Sequence, residues 1–565
     1  MAHLRQNTRL YQPQVPRRVC ASQQPSFVLA PTAIDTPREL LPNHHQLDNT
    51  LSGLQSHSPK MVTLDEATAL LQKPADVAAA SSTLVRAPSQ YKPLSTFILP
   101  KERSYQQQYA DVYFLRLTSI KPAVDAVAAE AWDGTVIGGE EARHVNRVLD
   151  VRQGELCWVT GTVYMDMPLK PNILEDVSKD RWISAPISTD RYYSDDVEKD
   201  QIMLEDDSGR IRLVGDVLKS IHLVTGCIIG VMGTENASGE LEVIDVKFPD
   251  LAPQPSRWSL TQPPPSSEDH DMSGTTPSQQ KPSSKIAIVS GLSFSGTDAS
   301  YALELSLLLE FLLGEALSPE TQSQITNISR LVISGNSIST TAANPALKTD
   351  DATNGNKKAT VKKYGYDASA YNPLPSQLFD EFLADLLPSL PVTLMPGAQD
   401  PANASYPQQP IHSAMFPRAR PYAAGPDAKE AGWFDTTTNP WEAEVDGWRM
   451  LGTGGQNVDD VFKYVDSDDR LGMMEAMCRW RCSAPTAPDT LWAYPFQDND
   501  PFVMKEAPHV FFVGCQPEFG TRVIQGADGQ TTRLITVPSF SETKEIVLVD
   551  TETLEVSKVK ISAAS

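Results

Sequence analysis

The second half of the chain alternates short, almost continuously apolar runs with glycine-containing loops, and this pattern limits the choice of fold more than any other feature. Strands that are apolar on both faces are typical of sheets covered on both sides. Helical patterns at 302–313 and 377–387 lie between some of the runs. We therefore expect layers of sheet and helix. The runs are 286–289, 331–333, 392–395, 449–451 and 510–513, and later runs at 533–537, 545–549 and 556–561 predict an antiparallel finish.

The middle of the chain, 151–252, has the pattern of a small barrel. Its strand-forming runs are separated by turns that contain Ser208-Gly209 and Gly239. About five strands with such turns predict a closed barrel of the oligonucleotide/oligosaccharide-binding (OB) type. The fold class is therefore mixed α+β, with an OB barrel followed by α/β layers. The barrel runs are 156–164, 202–215, 223–233 and 241–248.

A helical segment is expected before the barrel, within 91–150, packing on it. From about residue 103 to residue 132, apolar residues recur at steps of three and four, and Pro122 is expected to kink or split the helix. We interpret its aromatic stripe as a packing surface, because a helix face is an unusual platform for stacking bases. The stripe comprises Tyr105, Tyr109, Val112, Tyr113, Arg116, Leu117 and Ile120.

Three segments lack the composition of a core. Residues 1–90 are rich in Gln, Pro, Ser and Ala and predict a disordered N-terminal arm. Residues 253–284 predict a Pro/Ser linker, and 342–372 predict a mobile insertion within the domain 285–565. The arm's early arginines resemble either a transit peptide or a basic nuclear-type tail.

The charge balance argues against an independent DNA-binding protein. The net charge is −23, whereas gripping phosphates requires Lys and Arg that displace counterions. The barrel's middle hairpin and the residues before it are acidic, which favours protein docking or a structural role over single-strand binding. The acidic residues are Asp195, Asp196, Glu198, Asp200, Glu205, Asp206 and Asp207.

The six cysteines are sparse, which is typical of free thiols in a reducing compartment. Cys478 and Cys482 are four residues apart, but such a pair is only half of a zinc site, so we expect no metal there. No run of 18 apolar residues exists, so no membrane span is expected.

Short glycine-containing motifs follow the strands of the second half, at 290–296, 334–337, 396–400, 452–456 and 514–517. They resemble the motifs of calcineurin-like metallophosphoesterases, with the glycines kept and the metal ligands lost. The family's motifs are Asp-x-His, Gly-Asp, Gly-Asn-His-Asp/Glu, a lone His and Gly-His-x-His, and two divalent ions need those nitrogens and carboxylates. The nine histidines of this chain lie elsewhere, and we give His412 and His509 structural roles. The resemblance therefore implies an α/β sandwich, with two sheet layers flanked by helices, that carries a degenerate, inactive phosphodiesterase site.

The former site falls on the ends of five predicted strands. Asn336 stands where the family has its bridging Asp, and a neutral amide cannot balance two dications. Asp400 is the carboxylate that survives. No catalytic, cofactor or metal-binding residue is expected. The former-site residues are Ser290, Asn336, Ala398, Gln399, Asp400, Gln456, Cys515 and Pro517.

Several longer runs are polar, unlike generic core patterns. These runs are 104–109, 167–174, 395–403, 407–417, 438–441, 451–457, 483–490 and 494–496. They resemble the B subunits of eukaryotic replicative DNA polymerases and, within them, the fungal-type small-subunit family of DNA polymerase delta. An OB barrel before a metal-free phosphoesterase-like domain is the arrangement of these subunits.

The resemblance implies a non-catalytic scaffold in the nucleus that serves DNA replication and repair synthesis. Its implied partners are the C-terminal metal-binding domain of the catalytic subunit and a further accessory subunit that reaches the sliding clamp. DNA would be contacted only within that complex. Three alternatives stay open: an active metal-dependent phosphodiesterase or exonuclease, a single-strand-binding OB protein, and the B subunit of polymerase alpha or epsilon.

The lost ligands yield a direct prediction. The purified chain is expected to bind no stoichiometric transition metal and to hydrolyse no phosphodiester, because too few nitrogen and carboxylate ligands stand at the strand ends. Metal analysis alongside a phosphodiesterase assay measures both, and two equivalents of bound metal would contradict the prediction.

Overall fold

The computed structural model describes residues 85–103, 109–171, 190–196, 199–263, 283–315, 318–339, 372–425, 428 and 430–562. Its strands are β1 Tyr91–Pro93, β2 Val136–Ile137, β3 Glu140–Glu141, β4 Arg143–His144, β5 Leu156–Asp166, β6 Gln201–Glu205, β7 Arg210–Val214, β8 Ile228–Glu235, β9 Glu240–Lys247, β10 Lys285–Val289, β11 Ile328–Ser334, β12 Val392–Met395, β13 Phe434–Thr436, β14 Trp441–Val445, β15 Trp448–Thr453, β16 Val510–Gln516, β17 Gly520–Gln525, β18 Thr531–Pro538, β19 Glu545–Asp550 and β20 Val556–Lys560.

The helices lie between these strands. The α-helices are α1 Ala110–Trp132, α2 Ala302–Leu313, α3 Pro319–Ile325, α4 Leu374–Leu386, α5 Gln456–Phe462, α6 Arg470–Arg479 and α7 Phe540–Thr543, and the short 3₁₀ helices are Val148–Asp150, Asp216–Ser220, Ser413–Met415 and Arg420–Tyr422. Within the described ranges, none of the helices combines the length and apolar character that a bilayer crossing requires.

The predicted barrel is confirmed as a closed ring of five strands in the order β5-β6-β7-β9-β8, with β5 also pairing with β8. Strand β5 serves both neighbours because its first part pairs with β8 and its last part with β6. Gly161 lies where the strand changes partner. A Cβ atom there would lie 2.8 Å from the Glu205 carbonyl oxygen, so a side chain would obstruct closure.

Helix α1 packs across the barrel with every fourth residue buried from Val112 to Trp132. Gly230 of β8 lets the helix approach, since a Cβ atom there would lie 3.2 Å from Val124. The helix continues through Pro122, so the expected split is wrong. Pro122 and Thr118 are both exposed, so water can bond the Thr118 carbonyl that lacks a helical partner.

Two six-stranded sheets form the second half. Sheet I has the order β1-β14-β15-β16-β18-β17, and sheet II has the order β13-β12-β11-β10-β19-β20. Apolar side chains of both sheets share one buried core, including Ile288 of sheet II and Phe512 of sheet I. Helices α2 and α4 cover the outer face of sheet II. The barrel, α5 and α6 share a core with the outer face of sheet I.

The expected antiparallel finish is only partly correct. Strand β18 joins sheet I, where it is parallel to β16 and antiparallel to β17. Strands β19 and β20 form an antiparallel pair in sheet II. Apolar composition marked these strands correctly but did not show which sheet each would join, because that depends on pairing with strands far away in the sequence.

Two predicted domain boundaries need correction. Residues 85–90 were expected in the disordered arm and residues 91–93 in the segment that packs on the barrel, but both contact the sandwich. Arg86 donates hydrogen bonds to the carbonyls of Leu312, Ile325 and Ile328, and β1 pairs with β14 of sheet I. Residues 253–263 of the expected linker dock on sheet I, where the Glu444 carboxylate accepts bonds from residues 259–261. The predictions for 1–84, 264–282 and 340–371, and those for Tyr105 and Glu198, lie outside the described residues.

A buried ion pair ties α1 to the sandwich. The Arg116 Nε lies 2.8 Å from Asp500 Oδ2, and both side chains are fully buried. Arg116 also donates a 2.6 Å bond to the Pro485 carbonyl. A charge in this position would be strongly destabilising without its partner.

Arg116→Met is therefore expected to lower the free energy of unfolding by about 3–5 kcal/mol, because the buried Asp500 carboxylate loses its counter-charge. Chemical denaturation measures the loss. Asp500→Asn added to Arg116→Met should recover part of it, since the Asn oxygen can still accept the bond from the Phe502 N–H. Arg143→Ala, which removes an exposed pair with Glu155, should cost less than about 1 kcal/mol. An equal loss in both single variants would contradict the assignment.

Candidate functional site

Glycines bring the strand ends of both sheets into close contact. Gly335 has a φ of 85°, and a Cβ atom there would lie 3.1 Å from Gly454 Cα and 3.2 Å from Gly397 Cα. A Cβ atom on Gly514 would lie 2.2 Å from the Ser334 carbonyl oxygen. Any larger residue would force these loops apart, so the close contact of the strand ends requires glycine at these positions.

Ser290 and Cys515 join the two sheets at this edge. The buried Ser290 hydroxyl lies 3.0 Å from the Pro538 carbonyl oxygen and accepts a 2.9 Å bond from the Cys515 N–H. The Cys515 Sγ lies 3.7 Å from the Ser334 carbonyl oxygen. Burial raises the pKa of the Cys515 thiol well above its usual value. The thiol is therefore neutral at physiological pH and is a poor metal ligand in that form.

Asn336 turns the chain after β11 with a φ of 51°, a conformation that Asn tolerates better than most residues. Its side-chain oxygen accepts a 2.9 Å bond from the Gln399 N–H. Gln399 and Ala398 are themselves exposed. The position of the expected bridging carboxylate thus holds a neutral amide that links two loops.

Asp400 is buried and binds backbone, not solvent. Its two oxygens accept 2.8 Å bonds from the Ile338 and Gly397 N–H groups. Burial raises the pKa of Asp400 to about 6, although the backbone hydrogen bonds oppose that rise. The surviving carboxylate therefore pins the β12 loop to the β11 loop.

A network of three side-chain amides fills the neighbouring part of the edge. The Asn439 Nδ2 donates to Gln408 Oε1 and to Gln456 Oε1, each at 2.9 Å, and the Gln456 Nε2 donates to Gln408 Oε1 at 2.8 Å. Asn439 Oδ1 accepts a bond from the Gly454 N–H. Gln456, expected in place of a histidine, is thus engaged with other amides.

The last motif places Gln516, not Pro517, at the site. The Gln516 Nε2 donates to the Gly514 carbonyl at 3.2 Å and to Asp459 at 3.3 Å, whereas Pro517 is exposed. Asp459 in turn pairs with Arg470 at 2.9 Å.

The donor set at this edge does not fit a pair of divalent cations. Asp400 has both oxygens engaged by backbone, and the other predicted residues present amide, hydroxyl, thiol or no side-chain ligands. No group of three or more His, Cys, Asp or Glu side chains suited to a metal occurs in the part of the chain that the structure describes. His412 Nδ1 accepts a bond from the Ala414 N–H, and His509 Nδ1 accepts a bond from the Arg449 N–H. Cys478 and Cys482 are buried free thiols.

Two family models match the chain. The model of the DNA polymerase delta subunit OB-fold domain matches residues 108–246, and the model of the B subunit of DNA polymerases alpha and epsilon matches residues 286–521. The chain is similar to the DNA polymerase delta small subunit of Saccharomyces cerevisiae, with 35% identity over 82% of this chain and 91% of the relative.

The chain belongs to the DNA polymerase delta small subunit family.

Other relatives in that family have similar coverage. The small subunit of Oryza sativa subsp. japonica is 32% identical over 83% of this chain and 96% of its own length, and DNA polymerase delta subunit 2 of Drosophila melanogaster is 32% identical over 84% and 98%. The family resemblance drawn from the sequence is confirmed. The barrel is an OB-fold domain, and the chain is an accessory subunit of DNA polymerase delta.

Several residues at the edge were not predicted. Ser334, Gln408, Asn439 and Gln516 all bond within it, yet none stands at a ligand position of the phosphoesterase motifs. Gln408 and Asn439 do lie in two of the polar runs that carry the family resemblance, and that resemblance is the sequence signal that could have indicated them. Their contact joins residues 31 positions apart, so spacing alone could not show it.

The raised pKa of Asp400 gives a pH-dependent prediction. Its carboxyl binds a proton more tightly in the folded chain than in the unfolded chain, where the value is 3.8. Its contribution to stability is therefore present below about pH 4 and lost as pH rises through about 6, with an amplitude of about 3 kcal/mol, since one pKa unit is about 1.4 kcal/mol.

Asp400→Asn removes this titration. The free energy of unfolding of the natural chain, minus that of Asp400→Asn, should fall between pH 4 and pH 7 in denaturation experiments. A difference that stays constant over this range would show that folding does not raise the pKa of Asp400 and would contradict the prediction.

Proposed function

We propose that this chain is the non-catalytic scaffold subunit of a nuclear DNA polymerase delta complex, built on an OB barrel and an inactive calcineurin-like phosphodiesterase sandwich. The observation that carries the proposal is the edge at which five strand ends meet. Neutral amides, a neutral thiol, backbone groups and one carboxylate already bonded to backbone occupy it, whereas phosphodiester hydrolysis by two metals needs several histidines and carboxylates.

Bridging is the proposed role in replication and repair synthesis. One surface would hold the C-terminal domain of the catalytic subunit, and another would hold a further accessory subunit that reaches the sliding clamp. The tie between Arg116 and Asp500 supports this role, because it fixes the barrel's helix on the sandwich. Two partners held on one rigid body keep a constant separation.

DNA is proposed to be contacted only within the complex. Arginines on the barrel are already paired: Arg143 with Glu155, Arg210 with Glu205, and Arg212 with Glu240. Paired cations displace few counterions from phosphates, so they contribute little to binding a single strand.

Co-expression tests the proposal. The full chain is purified together with the catalytic and third subunits of polymerase delta, and size-exclusion chromatography is expected to give one stoichiometric complex. A catalytic subunit truncated before its C-terminal domain serves as the control and should not co-elute with this chain. Failure of the intact subunits to co-elute, or metal-dependent nuclease activity of this chain alone, would contradict the proposal.

A further inference from the structure

A groove opens where α1, the barrel and the loop after α6 meet. Its volume is about 590 Å³. One wall is the first turns of α1, the second is formed by β5 and the β6–β7 hairpin, and the third is the segment 488–492. The groove is separate from the strand-end edge, because it shares none of the former-site residues.

The groove is lined by aromatic rings. Tyr109 lies just before α1, Tyr113 and Phe114 lie on its first turns, Tyr164 lies on β5, and Trp492 lies in the sandwich loop. Phe114 is 52% exposed, although it lies on a helix whose other face is buried every fourth residue. A large apolar ring beside further aromatic rings is the kind of surface that a partner covers.

The charges of the groove are unbalanced. Four carboxylates line it, namely Asp166, Glu205, Asp206 and Asp489, against the two cations Lys170 and Arg210, which leaves a net charge of −2.

Both cations already pair with carboxylates of this chain. Lys170 lies 2.8 Å from Asp489, and Arg210 lies 3.0 Å from Glu205. Each also sits over a face of the Tyr164 ring, at 4.4 and 4.3 Å from its centre.

Asp166 is the carboxylate left without a counter-charge. It is exposed at the end of β5, and no described residue forms a salt bridge or side-chain hydrogen bond with it. Asp206, by contrast, has both oxygens engaged by its own turn and by the Val148 N–H. An unpaired carboxylate among aromatic rings attracts a cation that can also stack on those rings.

We propose that this groove binds a segment of another subunit of the assembly that presents an arginine or lysine flanked by apolar side chains. The cation pairs with Asp166 and lies against the aromatic rings, while the apolar neighbours cover Phe114. The negative groove repels phosphates, so nucleic acid does not fit. This inference rests on the proposed function, because the partner is taken to be a polymerase subunit.

Site-specific crosslinking tests it in the assembled complex. The photoreactive residue p-benzoylphenylalanine replaces Phe114 in the full chain, which is co-expressed with the catalytic and third subunits. Mass spectrometry is expected to find a crosslink to another subunit within about four residues, one helical turn, of an arginine or lysine. Crosslinks to this chain alone, to a segment without a cation, or to nothing would overturn the inference. The same residue in place of exposed Leu303 of α2 is the control and should not label that segment.

Charge reversal gives a second readout. Asp166→Lys is expected to weaken the affinity for the crosslinked subunit by about tenfold at low salt, and less at high salt, because a close charge pair is replaced by repulsion. Glu130→Lys makes the same charge change at an exposed position in the last turn of α1 and should leave the affinity within about twofold. Equal effects of both variants would overturn the inference. A complex that does not assemble in the unmodified form contradicts the proposed function, and the groove assignment with it, whereas assembly without the crosslink contradicts the groove assignment alone.

Discussion

Close contact between glycine-bearing strand ends is the constraint on which the second half of the molecule depends. Gly335, Gly397 and Gly454 bring three loops to van der Waals distance, so the groups around them must bond one another. Amides suit this position because each can donate and accept at once, and the Gln408, Asn439 and Gln456 side chains do so without any net charge. A pair of cations would need the opposite arrangement, with converging anionic oxygens and free nitrogens.

Buried groups with satisfied hydrogen bonds also join the barrel to the sandwich. Arg116 reaches from a helix that packs on the barrel into a pocket of backbone carbonyls and one carboxylate of the sandwich. The Glu444 carboxylate holds residues 259–261 against sheet I by accepting bonds from their backbone N–H and hydroxyl groups. Burial alone would raise the pKa of Glu444, but these bonds keep it below its usual value. Such contacts favour one relative position of barrel and sandwich, which the proposed bridging role needs.

Local patterns gave the barrel strands, the helix 302–313 and the apolar strands of both sheets, because alternation and helical periodicity reflect which face is buried. The glycine positions also indicated where the strand ends come into close contact. Such patterns could not predict which strands pair when they are far apart in the sequence. Strand β18 joins sheet I while β19 joins sheet II, and β1 pairs with β14 although hundreds of residues separate them. The roles of Gln408 and Asn439 likewise depend on partners that only the fold brings near, and polar composition at 253–263 concealed a segment that docks through specific bonds.

Anomalous diffraction from crystals of the purified chain soaked in manganese at millimolar concentration tests the central claim most directly, because it locates a cation rather than counting it. If amides and backbone groups fill the positions that hold ligands in the phosphoesterase motifs, no anomalous peak will lie among the loops of Ser290, Asn336, Asp400 and Gln456. Peaks seated between Asn336 and Asp400 would contradict the account, since they would require this edge to open and to supply ligands that it now uses for its own bonds.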